Sequence, residues 1–120
     1  MDANRFKRKS ADSDQLRQCS SDLNTLSESL PRISKVLRLA GNETRLKILF
    51  LIYQEDAMCP SDLAEVMEMT VPAVSQQLKK LSQSGLISSQ KNGQTIFYTF
   101  NENRGGILIP ILNRLVAFSY

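Results

Sequence analysis

The sequence contains no histidine. That one absence removes Ser-His-Asp and Cys-His nucleophilic catalysis, and with them the commonest ligand of zinc. Cysteine is scarce too. Cys19 and Cys59 are the two in 120 residues, which is no disulfide framework for a small secreted domain. No apolar run approaches the ~18–20 residues that cross a bilayer, so no membrane partner is expected. The stretch Met1–Ser13 is basic and polar without an apolar core, so no secretory signal is read and a cytoplasmic chain is expected. Glycine-rich phosphate loops and clustered metal ligands are missing as well, which argues against an enzyme.

A local absence is more informative. No Asp or Glu lies between Glu68 and Glu102, whereas Lys79, Lys80 and Lys91 do, among many Ser, Gln and Asn. Such a stretch suits a polyanion, because each phosphate repels a nearby carboxylate. A solvated polar face is the plainer account of the same residues. The net charge of +3 sits at the front of the chain, where Arg5, Lys7, Arg8 and Lys9 face only Asp2. Residues 1–14 show no apolar period and are expected to form a disordered basic arm. An arm of this kind either stays solvated or reaches into a minor groove.

Residues 15–120 read as one domain. Leu16, Leu23, Leu26 and Leu30 recur at roughly helical spacing until Pro31 interrupts them. Ile33, Val36, Leu37 and Ala40 share the next face, which stops at Gly41. Asn42 caps a helix carrying Leu46, Leu49, Phe50 and Tyr53, and Pro60 and Asp62 open a short one carrying Leu63, Val66 and Met67. A brief turn at Glu68–Met69 leads to Thr70, the N-cap of a helix with Pro72 in its first turn and Gly85 beyond its end. Val74, Leu78 and Leu81 fall at i, i+4 and i+7 and face inward, which turns Ser75, Gln76, Lys79 and Gln83 outward. Leu86–Gln90 and Thr95–Phe100 are β-rich and joined through Lys91–Gln94, where Asn92-Gly93 predicts a type I′ hairpin turn. A very apolar last helix follows Gly105-Gly106.

The expected fold is therefore mainly α with a small β-hairpin, a winged helix-turn-helix. Its second helix enters a major groove only if its outer face can read base edges. Ser75, Gln76 and Gln77 are such groups, Lys79 and Lys80 reach phosphates, and the first turn (Thr70, Pro72, Ala73) enters with them. Lys91, Asn92 and Gln94 form the tip of the wing. Val36 and Leu37, with Leu108, Ile111, Leu112 and Leu115 of the last helix, exceed what so small a monomer covers, so a homodimer is expected. Its two reading helices would then meet a two-fold double-stranded DNA operator at sites ~34–36 Å apart. A winged-helix module that binds proteins is the competing reading.

These residues also carry a resemblance. Leu39–Leu49 (LAGNETRLKIL), Met58–Ala64 (MCPSDLA), Val74–Leu81 (VSQQLKKL) with Ser84–Ile87, and Lys91–Gln94 with Phe97-Tyr98 resemble, in order, the motifs of the ArsR/SmtB metalloregulators. The resemblance implies a dimeric repressor with dimerisation helices at both ends, released from its operator by an inducer. The family's zinc-type site, placed on its last helix, is matched here by Tyr98–Arg104 without histidine. Its arsenic motif of paired cysteines is half present, as Cys59 with Ser61, and Cys19 stands in an N-terminal extension from which several members supply a thiolate. Thiolate-bound As(III), Sb(III), Cd(II) or Hg(II) is the inducer this pair would suit, since soft ions prefer sulfur. No cofactor is expected for DNA binding itself. A disulfide or persulfide sensor is the alternative use of the same thiols, and an inert pair is the third.

Overall fold

The computed structural model describes residues 12–117. They divide into two units between Ser34 and Lys35. The expected arm residues Arg5–Lys9 lie outside the described residues.

In the first unit, helix α1 (Ser13–Thr25) starts because the Asp12 side chain accepts from the N–H groups of Asp14 and Gln15, each at 3.1 Å. Regular structure therefore begins before Asp14, where an irregular arm was expected to end. Helix α2 (Ser29–Ala40) follows and carries the chain across the boundary. Pro31 does not interrupt the helical pattern; it sits in the first turn of α2, where its missing N–H costs nothing. The break falls earlier, after Thr25. None of the residues of α1 is buried, and Leu16, Leu23, Leu26 and Leu30 are all exposed.

The second unit holds the core. Helix α3 (Glu43–Glu55) is capped by Asn42, whose side chain accepts from the Arg45 N–H at 3.0 Å, and it buries Ile48, Leu49 and Ile52. Helices α4 (Pro60–Met67) and α5 (Val71–Gln83) add Leu63, Ala64, Val74, Leu78 and Leu81. Strands β1 (Ile87–Asn92) and β2 (Thr95–Phe100) pair antiparallel from Ile87–Phe100 to Asn92–Thr95. The loop is thus Gly93-Gln94, one residue later than the sequence suggests. Gly93 carries φ +65° and Gln94 is not among the positive-φ residues, so the turn follows the II′ pattern with glycine first, rather than I′. Met58 and Tyr98 exchange backbone hydrogen bonds of 3.1 and 2.8 Å, which fastens the base of the hairpin to the loop before α4. Tyr53 and Phe100 meet edge to face with centroids 5.5 Å apart.

Short helix α6 (Glu102–Gly105), a 3-10 turn (Gly106–Leu108) and helix α7 (Ile109–Ala117) close the unit. The dimer expectation needs correction here. Leu108 and Leu112 are each 1% exposed within the protomer and fill its core, so they are not free to meet a partner. Leu115 and Val36 are half-buried against the same core, and the exposed members of the expected set are Leu37 and Ile111. The reason is spacing: 108, 112 and 115 make one stripe that the 3-10 turn and α7 together direct inward. Tyr98–Arg104, matched above to the family's last helix, instead falls on β2 and α6. Among the described residues no helix is long and apolar enough to cross a membrane. Helices α3, α4 and α5 followed by the β1–β2 hairpin make a winged helix-turn-helix.

Candidate nucleic-acid interface

The turn between α4 and α5 is built by Glu68, a non-glycine residue in the left-handed region at φ 55°, ψ 45°. Met69 N–H then donates back to the Ala64 carbonyl at 2.9 Å, closing the end of α4. Two residues later α5 begins. Thr70 Oγ1 accepts from the Ala73 N–H at 3.3 Å, and Pro72 occupies the first turn, where it displaces no hydrogen bond.

Val74, Leu78 and Leu81 are fully buried at i, i+4 and i+7, which fixes the rotation of α5. Thr70, Pro72, Ser75, Gln76, Lys79 and Lys80 are exposed, while Ala73 is half-buried. Lys91, Asn92 and Gln94 are exposed at the tip of the hairpin. None of Lys79, Lys80 and Lys91 forms an ion pair among the described residues; the pairs there are Arg17–Asp14 and Lys47–Glu43. With no carboxylate between Glu68 and Glu102, α5 and the wing contribute lysines and amide and hydroxyl groups and no negative charge of their own. Such a surface favours a polyanion and offers both donors and acceptors to base edges.

Gln77 departs from the sequence reading. It is half-buried, and its Oε1 accepts from Arg45 Nη1 at 3.1 Å. Lys80, read as a phosphate contact, lines an open cleft of about 230 Å³ with Lys35, Leu39, Gln83 and Ser84. Gln77 lies three residues after Val74 and four before Leu81, on the flank of the buried stripe, and that spacing is the signal for its half-buried position. Arg45, which holds it, gives no such signal, because the contact spans distant parts of the chain.

The thiols differ. Cys59 is the N-cap residue of α4, 6% exposed, with its Sγ 3.4 Å from Ser61 Oγ. Cys19 lies on α1 and is exposed; neither cysteine is in a disulfide. Among the described residues, no three His, Cys, Asp or Glu side chains gather as a metal site. One sulfur beside one hydroxyl suits a soft ion only if a further thiolate joins it.

Comparison with known proteins agrees on the lineage of this arrangement. The family model described as bacterial regulatory protein, arsR family, matches residues 42–89. The chain is 31% identical over 68 residues to the cadmium resistance transcriptional regulatory protein CadC of Listeria innocua, which covers 57% of each chain. It thus spans little more than half the length of that relative. It is 32% identical over 80 residues to the transcriptional activator HlyU of Vibrio cholerae, covering 67% of this chain and 73% of HlyU. The structure of reduced HlyU from the same organism superposes with a TM-score of 0.67 at 28% identity, covering 76% of this chain and 95% of that one. The homodimeric winged helix-turn-helix DNA-binding domain Mb0332 of Mycobacterium bovis superposes with a TM-score of 0.64 at 23% identity, over 76% of this chain and 82% of that one, and shares the fold.

Proposed function

This chain belongs to the arsR family of bacterial regulatory proteins, and from that membership we propose that it is a homodimeric, sequence-specific repressor that binds a two-fold DNA operator. The observation that carries the reading is the carboxylate-free face formed by α5 and the wing. Ser75 and Gln76 meet base edges, Lys79, Lys80 and Lys91 meet phosphates, and Asn92 and Gln94 place the wing against the backbone. Thr70, Pro72 and Ala73 bring the first turn of α5 into the groove. Leu37 and Ile111, exposed on α2 and α7, support a second copy as partner. Fluorescence anisotropy against a duplex that the protein enriches from a random pool tests this. Gln76→Ala is expected to weaken binding about tenfold on that duplex and little on a scrambled one. Equal affinity of parent and variant for both duplexes contradicts it and favours a protein-binding winged helix. HlyU is named an activator, so a promoter fusion decides the sign, with derepression on deletion expected.

Control of that binding is assigned to Cys59 and Cys19. Cys59 offers one buried sulfur and Cys19 an exposed one, and paired between subunits they would suit As(III), Sb(III), Cd(II) or Hg(II). A ligand that prefers the DNA-incompetent conformation lowers affinity about 5–150-fold for ~1–3 kcal/mol of coupling. The hydroxyl beside Cys59 is a poor ligand for soft ions, and this favours a second reading in which the thiols respond to oxidant or persulfide. Arsenite, cadmium and peroxide titrations of Cys19→Ser and Cys59→Ser separate the two. Variants that respond like the parent to all three contradict both.

A further inference from the structure

Arg45 lies in the first turn of α3 and is half-buried, with no carboxylate in ion-pair range among the described residues. Its Nε donates to the Leu39 carbonyl at 2.6 Å and its Nη1 donates to Gln77 Oε1 at 3.1 Å. Leu39 belongs to the last turn of α2, where a helix runs out of N–H partners for its carbonyls. Gln77 lies midway along α5. One rigid, planar donor group thus fastens the end of α2 to the helix that carries Ser75 and Gln76.

Chemistry fixes the polarity of Gln77 as well. Arginine has no acceptor, so the amide oxygen must face it and the amide NH2 must point elsewhere. A glutamine held this way has one of its oxygen's two lone pairs committed to Arg45, which leaves the NH2 as its freer end and disfavours the bidentate adenine pair. Gln76, exposed on the next position, keeps that capacity. Gln77 is left as a donor, matched to acceptors such as guanine O6 and N7 or thymine O4.

We propose that Arg45 is a positioning residue for DNA recognition: through Leu39 and Gln77 it sets α5 against α2 and holds the Gln77 amide as a donor to an acceptor on a base edge. The inference rests on the DNA-binding reading given above.

The test compares the parent with Arg45→Lys, Gln77→Ala and the double variant. The probes are a duplex of ~30 base pairs enriched by the parent from a random pool and a scrambled duplex of equal length, at one salt concentration. Lysine keeps the charge but reaches one acceptor. Each single variant is expected to lose about tenfold on the enriched duplex, with the scrambled duplex unaffected, and the double variant to lose no more than either alone. Gln77→Glu keeps the tie to Arg45 as an ion pair and removes the NH2, so it is expected to unfold no earlier than the parent yet lose the preference for the enriched duplex. Losses that multiply in the double variant, equal losses on both duplexes, or a Gln77→Glu protein that binds like the parent each overturn the inference. A parent that enriches no duplex overturns the DNA-binding reading itself.

Discussion

Two glycines bracket the wing and resist substitution for different reasons. At Gly85 the backbone holds φ +82°, and a Cβ would meet only the flexible side chain of Arg104. The cost of Gly85→Ala is therefore conformational, about 1 kcal/mol, and it is expected to appear as an earlier urea midpoint with an unchanged slope. At Gly105 a Cβ would lie 2.8 Å from Cζ of Phe100, whose ring is already set against Tyr53. A ring in that position has little freedom to retreat, so Gly105→Ala is expected to cost ~1–3 kcal/mol by overpacking. Ser82 runs the other way. Its Oγ is buried with no hydrogen-bond partner, so Ser82→Ala is expected to raise stability by about 1 kcal/mol in the same measurement. Unchanged or lower stability would mean that the hydroxyl has a partner in solution.

Within the helix-turn-helix, α4 ends on a left-handed glutamate where glycine would be cheaper. Glu68→Gly is expected to stabilise the fold by ~0.5–1 kcal/mol and, because it removes an exposed carboxylate two residues before Thr70, to raise rather than lower DNA affinity. Thermal unfolding and anisotropy check the two halves of that statement. Lys79→Ala is expected to weaken binding on all duplexes alike and reduce the slope of log K against log salt by about 1. The elements were largely legible from local chemistry: Asn42, Thr70 and Pro60 cap or open helices where their side chains dictate, and the 74–78–81 stripe fixes which face of α5 is free. What escaped was non-local. The tie from Arg45 to Gln77 crosses 32 positions, and no periodicity announces it. The hairpin slipped by one residue because Gly93 satisfies a turn with glycine first as well as one with glycine second.

The whole molecule raises a question of covering. A protomer that buries Leu108 and Leu112 in its own core offers its partner Leu37 and Ile111 instead. Sequence could not distinguish these roles, because an apolar helix shows how much must be buried but not against what. Leu37→Lys with Ile111→Lys is expected to yield a folded monomer in sedimentation equilibrium, whereas Leu112→Ala is expected to cost ~2–5 kcal/mol of protomer stability. A dimer unaffected by the lysine pair would place the interface elsewhere. The central claim, that two copies of the α5 face and wing read one duplex, is tested most directly by hydroxyl-radical and methylation footprinting on the enriched duplex. Two protected major-groove windows one helical turn or a whole multiple of ~10–10.5 base pairs apart, both needing about tenfold more protein with Gln76→Ala, are expected. A single window, or protection that survives Gln76→Ala and Lys79→Ala together at the parent's protein concentration, contradicts it.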